Sequence, residues 1–443
     1  FWVACDNGAG SPFLGVGCAM PVNASLVDPR TPDIPVSSAH GASSGALKVD
    51  KPTLWWPRGL SHNHPDRKPF LYTLRLDTPT DTFRLSVGLR HVEVRQRDLL
   101  INGERIYLCG ADYHQDAPLR GHGVDAATVA QDVALMRSIG MNAFRLNSWP
   151  IPEDTLDLAD RHGIVVQSEA PGIALRGGWD PRCPSNIFDP QGMCANITAR
   201  DHHIAVVADL MYRDKNRASV ISFSLANEPD TDPDREPHAV EYFREVAETV
   251  RLYDPQRRPL TVEADPETRP DFVRAVGLDL VSVHYYPGWY DLAPIDQVPK
   301  IMSEFLGTWA AAYPDKPLIL SEFGAGGIPG VHHNLPPIPY SEEFQVRILQ
   351  QDYAAIDLFR RNGTLTGEHV HAWHDFQQVG PTVATGVGGF GTRGMLTDVS
   401  GLNYKGLFSR DRKPKAAAAL VAERYKAIAM EQSVGSGSVD DAS

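Results

Sequence analysis

The chain of 443 residues is 42% hydrophobic and 22% charged, an ordinary composition for a globular protein of two or three domains. Its formal net charge of −13 argues against a nucleic-acid partner, since phosphate binding needs a basic face. The sequence contains no apolar run of about 18 residues, so we expect no membrane-spanning segment. A negative net charge does not exclude an anionic substrate, because one lysine inside a pocket can outweigh the global field.

Residues 1–100 contain short alternating segments separated by proline, glycine and serine. The clearest are 70–76 and 82–87, in which apolar and polar residues alternate. Alternation with turn residues between the segments predicts antiparallel strands of a β-sandwich. The first residues show no clean opening strand, so the predicted sandwich is partial.

From Ile106 onwards, apolar strands alternate with segments of helical periodicity, which indicates parallel βα units. The predicted strands are 106–111, 141–147, 164–168, 219–226, 260–264, 280–285, 317–321 and 366–373. The predicted helices are 126–139, 153–162, 200–213, 238–252, 295–312, 341–361 and 414–430. This pattern over residues 101–430 predicts a (β/α)8 TIM barrel of the α/β class. The alternative, a doubly wound open sheet, lacks the glycine-rich phosphate fingerprint after its first strand.

Three segments have no regular pattern. Residues 171–198 and 377–401 are predicted to be loops, and the second contains Gly-Val-Gly-Gly-Phe-Gly at 386–391. No lysine with serine or threonine follows these glycines, so we expect them to shape a pocket on the catalytic face and not to bind phosphate. Residues 431–443 are of low complexity and are predicted to form a disordered tail.

The spacing of the cysteines suggests disulfide bonds within loops but no metal site. Cys183 and Cys194 bracket a loop without a core of its own and are predicted to form a disulfide, and Cys5 and Cys18 bracket another loop. Cys109 lies in a predicted strand and is expected to be a buried apolar side chain. No Cys-x-x-Cys or Cys/His spacing typical of zinc occurs, so no metal is expected.

Three tripeptides have the pattern of asparagine-linked glycosylation sites. They begin at Asn23, Asn196 and Asn362. They favour a secreted or lysosomal protein, with a cytoplasmic location as the alternative.

Two predicted barrel strands end in a glutamate. The apolar run of the predicted fourth strand, 219–226, leads to Glu228, and that of the predicted seventh strand, 317–321, leads to Glu322. The carboxyl ends of barrel strands form the active site. Hydrolysis of a glycosidic bond needs two carboxyl groups there, one to protonate the leaving oxygen and one to attack the anomeric carbon. A single strand-end glutamate is often a helix cap or a solvated group, but two at these positions favour catalysis.

Several motifs support the same chemistry. They are Leu-Trp-Trp-Pro at 54–57, Val-Gly-Leu-Arg at 87–90, Leu-Ile-Asn-Gly at 100–103, Arg-Asp-Lys-Asn at 213–216, Asn-Glu-Pro-Asp at 227–230, Tyr-Tyr-Pro-Gly-Trp-Tyr at 285–290, Asn-Tyr-Lys-Gly at 403–406 and Arg-Asp-Arg-Lys-Pro-Lys at 410–415. Together they resemble the β-glucuronidases of glycoside hydrolase family 2. The resemblance implies a catalytic barrel at 101–430 preceded by a partial immunoglobulin-like β-sandwich at 1–100. The family's amino-terminal jelly-roll domain has no counterpart here, as in a truncated fragment of a family member.

The resemblance also implies catalytic roles. Glu228 is the expected acid/base and Glu322 the expected nucleophile. Asn227 is expected to hold the sugar 2-hydroxyl, and Tyr285 is expected to contact the nucleophile. No cofactor is implied.

The Asn-x-Lys element at 403–405 resembles the family's clamp for the sugar carboxylate. Lys405 offers a positive charge and Asn403 a neutral donor, and both suit a carboxylate. The alternative for Lys405 is a solvated loop lysine.

Further candidate substrate-binding residues stand in motifs that depart from the family's. Arg145 opens Arg-Leu-Asn-Ser-Trp-Pro where the family has Arg-Thr-Ser-His-Tyr-Pro, so that Ser148 replaces a histidine. His114 lies in Asp-Tyr-His-Gln-Asp where the family has Asn-Lys-His-Glu-Asp. On strand eight, His371 takes the place of a sugar-facing tryptophan, and Trp373 follows it. These changes leave the expected reaction intact and make the identity of the sugar less certain.

We therefore expect a retaining exo-β-glucuronidase whose partner is a carbohydrate with a terminal uronic acid, in a chain that is a candidate homo-oligomer. One alternative is another family-two exo-glycosidase, such as a galacturonidase or galactosidase. The other is an inactive carbohydrate-binding relic, suggested by the missing jelly roll and the replaced histidine.

Overall fold

A computed structural model describes residues 22–42, 46–60, 66–123, 125–147, 149–172, 197–234, 236–291, 293–377 and 401–435 of the chain. Cys183, Cys194 and Asn196 lie outside the described residues, so the disulfide and that glycosylation site remain predictions. Asn23 and Asn362 are exposed, and their glycosylation also remains a prediction. Cys109 is buried and, within the described part of the chain, forms no disulfide.

Four strands before the barrel form one antiparallel sheet. They are β1 (Val22–Val27), β2 (Pro35–Ala42), β3 (Tyr72–Asp77) and β4 (Thr82–Val87), in the order β2-β1-β3-β4. The alternation predicted for 70–76 and 82–87 is present in β3 and β4, where Tyr72 lies opposite Val87. Val22, Ala24 and Leu26 point to one face of the sheet and are buried. This sheet fits the predicted partial immunoglobulin-like sandwich.

A second, three-stranded sheet packs at the amino end of the barrel. It contains β5 (Val92–Arg95), β6 (Asp98–Ile101) and β7 (Glu104–Arg105). Leu99 and Ile101 pack with Trp55 against the first residues of the barrel strands. The sheet therefore covers the end of the barrel opposite the strand ends that carry Glu228 and Glu322. It spans the predicted domain boundary at residue 100, which remains a prediction.

The predicted eight-stranded parallel barrel is confirmed. Its strands close in chain order and are β8 (Leu108–Tyr113), β9 (Ala143–Leu146), β10 (Val165–Glu169), β11 (Val220–Asn227), β12 (Leu260–Ala264), β13 (Val281–His284), β14 (Leu318–Glu322) and β15 (Leu365–Val370). A short pair, β16 (Phe376–Gln377) and β17 (Leu402–Asn403), lies beyond the eighth strand.

Helices surround the barrel. They are α1 (Ala126–Ser138), α2 (Glu153–His162), α3 (Ile197–Asp214), α4 (Ala239–Val250), α5 (Phe272–Val276), α6 (Val298–Ala312), α7 (Glu342–Arg361) and α8 (Ala416–Gly435). Seven correspond to predicted helices, while α5 has only 5 residues, too few to give a periodic signal. Among the helices of the described residues, none is both long and apolar enough to cross a bilayer.

The ends of two predicted elements differ from the structure. The eighth strand ends at Val370 and not at residue 373, so His371 and Trp373 lie beyond it. Helix α8 continues to Gly435, into the segment predicted to be a disordered tail. Glu431 in that last part of α8 forms an ion pair with Arg360 of α7 at 2.7 Å, which holds the helix against its neighbour. Residues 436–443 lie outside the described part of the chain.

One buried carboxylate links the first and last parts of the barrel. Asp132 of α1 accepts hydrogen bonds from Nε and Nη2 of Arg412 at 2.9 and 2.8 Å. It also accepts hydrogen bonds from the hydroxyl of Tyr113 at 2.9 Å and from the indole of Trp373 at 3.1 Å. Arg412 and Asp132 are both almost completely buried, so each neutralises a charge that water cannot reach.

We expect Asp132→Ala to destabilise the fold by about 3–5 kcal/mol, because it leaves the buried guanidinium of Arg412 without a counter-ion. The midpoint of urea unfolding, followed by tryptophan fluorescence, measures the effect. Asp315→Ala is the matched control, since the Arg274–Asp315 pair is about half exposed. Equal midpoints for wild type and Asp132→Ala would contradict this assignment.

Candidate active site

The two strand-end glutamates lie together at the carboxyl end of the barrel. Glu228 directly follows β11, the fourth barrel strand, and Glu322 is the last residue of β14, the seventh. One carboxylate oxygen of Glu228 lies within 4.8 Å of one of Glu322. The backbone of Glu228 has a φ of 46°, in the left-handed region that a non-glycine residue adopts at a cost. The surrounding barrel keeps this residue in a strained conformation, as is common at functional sites.

Glu322 is fixed by donors from β9 and from the segments that directly follow β9 and β13. Its Oε1 accepts hydrogen bonds from Arg145 Nη1 at 2.8 Å and from Asn147 Nδ2 at 2.6 Å. Its Oε2 accepts a hydrogen bond from the hydroxyl of Tyr286. Burial raises the pKa of Glu322, but the nearby His284, His371 and Arg145 outweigh this and hold the pKa well below its usual value. Glu322 is therefore an oriented, ionised carboxylate.

Arg145 is the centre of a buried charge network. Its Nε and Nη2 donate to Glu169 at 2.8 and 3.1 Å, and Nη2 also donates to Asn227 Oδ1 at 2.6 Å. Its Nη1 donates to Asp112 at 3.2 Å as well as to Glu322. A guanidinium has five N–H donors, and these contacts engage all five. The side chain is fully buried and its contacts are to protein groups, so Arg145 positions other groups of the site, and a contact with the substrate stays a prediction.

Glu228 interacts with a histidine that the sequence analysis did not single out. Its Oε1 lies 2.9 Å from Nδ1 of His284, the last residue of β13. The Glu228 side chain is 22% exposed, whereas that of His284 is 1% exposed. The glutamate therefore faces the open end of the barrel and the imidazole lies behind it.

The tyrosine whose hydroxyl contacts the carboxylate of Glu322, the expected nucleophile, differs from the predicted one. Tyr285 was expected in this role, but its ring stacks on Phe305 of α6 with centroids 4.4 Å apart. The next residue, Tyr286, donates its hydroxyl to Glu322. Burial and the charge of Glu322 raise the pKa of Tyr286 well above its usual value, so it remains a donor. Neighbouring residues point in different directions after a strand ends, and the structure selects the second tyrosine.

Lys405 is a buried cation beside the glutamate pair. Its Nζ donates to the hydroxyl of Tyr290 at 2.6 Å and lies 4.7 and 4.8 Å from the ring centroids of Tyr286 and Tyr290. The residue is only 3% exposed, so it is not the solvated loop lysine considered as the alternative. Burial lowers its pKa to about 8, against the raising effects of Glu322 and Glu228.

The loop that carries Lys405 is anchored to the barrel. Asn403 Oδ1 accepts a hydrogen bond from the backbone N–H of Lys405 at 3.0 Å, which makes a compact turn. The buried Nζ of Lys415 donates to the carbonyl of Tyr404 at 2.8 Å and to Asp375 at 2.8 Å. A Cβ on Gly406 would overlap the backbone of residues 374–375, so only glycine permits this approach. The anchored loop holds Asn403 and Lys405 at the site.

Two of the predicted histidines also line this region. His371 Nδ1 lies 2.9 Å from Asp112 Oδ2 and 3.5 Å from Glu322 Oε2, and burial lowers the pKa of His371 to about 3. His114 packs edge-on against His371, with centroids 5.5 Å apart, and stacks on Phe376 at 3.6 Å. Both imidazoles are therefore close to the nucleophile, and His371 is neutral at neutral pH.

Trp373 does not join this cluster. It is 0% exposed, its ring packs against Phe408 at 4.6 Å, and its indole donates to Asp132. The strand ends at Val370, and the following turn directs Trp373 into the layer between barrel and helices. Binding of substrate by Trp373 therefore stays a prediction, which its position in the described structure does not support.

Two groups in the described part of the chain have the spacing of metal ligands, with ligand atoms within 4.8 Å of one another: Asp112, Glu322 and His371, and Glu228, His284 and Glu322. Both groups contain Glu322, which already lies 2.8 Å from the guanidinium of Arg145. A second cation there would be repelled. The arrangement favours a carboxylate held by protein donors over a metal site.

Sequence reasoning missed several residues of this cluster. They are Asp112, Asn147, Glu169, Glu263, His284, Tyr286 and Tyr290. All but Tyr286 and Tyr290 lie in barrel strands or directly after them, so the rule that strand ends carry the site could have found them. Only the closed barrel shows which of them meet.

The comparisons with known proteins agree with this geometry. The profile described as "Glycosyl hydrolases family 2, TIM barrel domain" matches residues 92–430. The chain is 35% identical over 418 residues to a "Beta-glucuronidase" of Paenibacillus borealis, covering 93% of this chain and 63% of the relative. It is 34% identical over 401 residues to a "Beta-glucuronidase" of Canis lupus familiaris, covering 88% of this chain and 55% of the relative.

Solved structures give the same result. A β-D-glucuronidase of Dictyoglomus thermophilum superposes with a TM-score of 0.76 at 31% identity, covering 93% of this chain and 64% of that structure. A β-glucuronidase from Ruminococcus gnavus in complex with D-glucuronic acid superposes with a TM-score of 0.74 at 28% identity, covering 92% and 63%. The chain thus spans less than two thirds of the length of these relatives. It belongs to glycoside hydrolase family 2, and residues 92–430 are its TIM barrel domain.

Proposed function

We propose that this chain carries the catalytic barrel of a retaining exo-β-glucuronidase, which removes terminal β-linked glucuronic acid from glycosides or glycans. The observation that carries the proposal is the pair Glu228 and Glu322, with one oxygen of each within 4.8 Å, beside the buried cation of Lys405. Retaining glycosidases have carboxyl groups about 5–5.5 Å apart, whereas inverting ones have about 6.5–9.5 Å between them. The shorter separation supports a double displacement.

In the first step, Oε of Glu322 attacks the anomeric carbon while the carboxyl group of Glu228 protonates the glycosidic oxygen. The bond from the anomeric carbon to that oxygen breaks, and the aglycone leaves. The lowered pKa of Glu322 supports this role, since only the carboxylate is nucleophilic. Arg145, Asn147 and Tyr286 hold it in one orientation.

In the second step, Glu228 accepts a proton from water as the water oxygen attacks the anomeric carbon. The bond to Glu322 breaks, and glucuronic acid leaves with its β configuration retained. Asn227 lies next to Glu228 and uses Oδ1 to accept a hydrogen bond from Arg145. This contact leaves its Nδ2 to donate to the sugar 2-hydroxyl.

Recognition of the uronic acid would come from the anchored loop. Lys405 supplies charge and Asn403 a neutral donor to the C6 carboxylate. The ammonium is buried against two tyrosine rings, so little water screens its charge. A neutral hexose lacks the partner that this buried charge needs.

The double displacement predicts a covalent intermediate on Glu322. A 2-fluoro-β-glucuronide should label the wild-type protein at Glu322, seen as a mass increase on the peptide that contains residues 318–322. Glu322→Gln should give no labelled peptide, because an amide is not a nucleophile. NMR of the first product from an aryl β-glucuronide should show the β anomer, and an α product or a label on another residue would contradict the mechanism.

Substrate recognition predicts a selective effect of Lys405→Ala. Loss of a charge-assisted hydrogen bond costs about 1.5–3 kcal/mol, so kcat/KM for an aryl β-glucuronide should fall about tenfold to a hundredfold or more. The matching β-glucoside has no carboxylate, so its low rate should barely change. Equal losses on both substrates would make Lys405 structural. A wild type that prefers galacturonides or β-galactosides would favour another family-two glycosidase, and no turnover of any sugar would favour a binding relic.

The pKa of Lys405 predicts how binding depends on pH. Because this pKa is about 8, the ammonium is charged below that pH and loses its charge as the pH rises through it. The KM for an aryl β-glucuronide should therefore rise above about pH 8 in the wild type. Lys405→Arg should remove this rise, because a guanidinium stays charged there. A rise of the same size in Lys405→Arg would contradict the assignment.

A further inference from the structure

His284 lies between Glu228, the proposed acid/base, and the buried carboxylates of the barrel interior. It ends β13, its side chain is 1% exposed, and its two ring nitrogens face different carboxylates. Nδ1 lies 2.9 Å from Glu228 Oε1. The distance is that of a direct hydrogen bond, so a proton between these atoms can reside on either one.

The opposite nitrogen faces the interior of the barrel. Nε2 lies 3.4 Å from Glu263 Oε2 and 3.6 Å from Glu322 Oε1. Glu263 also accepts a hydrogen bond from Ser321 Oγ at 2.6 Å, and its pKa is about 2, because Arg145 and His284 outweigh the effect of burial. Since two ionised carboxylates face Nε2, this nitrogen carries a proton. Whether Nδ1 also carries a proton then depends on its contact with Glu228.

Other charged groups bear on the same imidazole. Arg145 Nη1 lies 3.4 Å from Nε2 and opposes a positive charge on the ring. Asp112 of β8 also interacts electrostatically with the ring, and burial raises the pKa of Asp112 well above its usual value. Burial lowers the pKa of His369 of β15 to about 4 and that of His371 beyond β15 to about 3, so both rings are neutral at neutral pH. Burial lowers the pKa of His284, but Glu322, Glu228 and Glu263 outweigh burial and raise it well above its usual value. The ring is thus able to hold a proton at neutral pH.

From this geometry we infer that Glu228 and His284 act as one acid/base dyad, in which the imidazole stores the proton that Glu228 delivers to the leaving group. The inference rests on the proposed function, because it assigns Glu228 the acid role. His284 does not touch the substrate and is therefore a positioning and proton-storing residue.

The proton balance is closed within the dyad. Before the reaction, one proton lies between Glu228 Oε1 and His284 Nδ1. The carboxyl group of Glu228 takes up this proton, turns the protonated oxygen to the open end of the barrel and donates the proton to the glycosidic oxygen as the glycosidic bond breaks. A carboxylate then remains next to a neutral imidazole with its proton on Nε2. In the second step, the attacking water returns one proton to the dyad. No further acid, base or cofactor is needed.

The dyad predicts a different pH dependence from that of a lone glutamate. A lone Glu228 would lose its proton when its own carboxyl group ionises. In the dyad, the imidazole retains the proton to higher pH, so the acid remains available near neutrality. A histidine that only oriented Glu228 would change the rate by the same factor at every pH.

The test is His284→Gln, compared with wild type on two aryl or alkyl β-glucuronides at saturating concentration. For an alkyl glucuronide, whose aglycone needs a proton, kcat at pH 7 should fall about 10²-fold. For the 2,4-dinitrophenyl glucuronide, whose aglycone leaves without protonation, kcat should change only a few-fold. The loss on the alkyl substrate should shrink as the pH is lowered, because Glu228 then carries the proton itself.

His369→Gln is the matched control. His369 is also a buried barrel histidine, on β15, but within the described part of the chain neither of its ring nitrogens has a hydrogen-bond partner, Glu228 included. Any loss it causes should be the same for both leaving groups and at every pH. The same uniform loss in His284→Gln would overturn the dyad, as would additive losses in the double variant His284→Gln/Glu228→Gln.

A measurement that does not depend on turnover separates this inference from the proposed function. In protein labelled with ¹⁵N-histidine, the resonances that are absent from the spectrum of His284→Gln identify this residue. The pH titration of these resonances is then compared between the unliganded wild type and Glu228→Gln. The dyad predicts that His284 is protonated on both nitrogens at pH 7. It also predicts that Glu228→Gln lowers the pH at which His284 loses this proton by about one unit. If His284→Gln does not fold, the comparison with Glu228→Gln alone decides the question. A neutral His284 at pH 7 with an unchanged titration overturns the dyad, whereas absence of any glucuronidase activity overturns only the proposed function.

Discussion

Arg145 places one positive charge among carboxylates from β8, β10, β12 and β14. Without it, Asp112, Glu169, Glu263 and Glu322 would repel one another in the buried interior of the barrel. The attraction offsets the cost of burying each charge, but only because every N–H of the guanidinium has a partner. Folding of the barrel and ionisation of the nucleophile therefore depend on the same side chain. The site is formed before any substrate arrives.

A second set of buried contacts brings the loop that carries Lys405 to this charge network. Lys415 and Gly406 fasten the turn at 403–405 against the chain that follows β15. Lys405 then lies among tyrosine rings, close enough to the glutamates for their charges to raise its pKa against the effect of burial. The cation that would bind a sugar carboxylate and the anions that would cleave the sugar thus stabilise each other.

Much of the fold was predictable because the signals are local. Apolar strands such as 219–226 and 317–321 alternate with helical segments, and only parallel βα units bury both. Glu228 and Glu322 could be recognised because each closes such a strand, and a closed barrel gathers its strand ends on one face. The partial sandwich was also predictable, since alternation in β3 and β4 is a property of consecutive residues.

The sequence by itself determined the barrel, its strand order and the two catalytic candidates, because periodicity and strand ends depend on residues that are neighbours in the chain. Only the tertiary structure decided which side chains meet. The hydroxyl of Tyr286 donates to the carboxylate of Glu322 while the ring of Tyr285 stacks on Phe305, and Trp373 turns into the core. The direction of a side chain after a strand has ended depends on the packing of the turn. Arg145 and His284 acquire their roles from carboxylates on other strands, and a guanidinium or imidazole shows its partners only when the barrel closes around it.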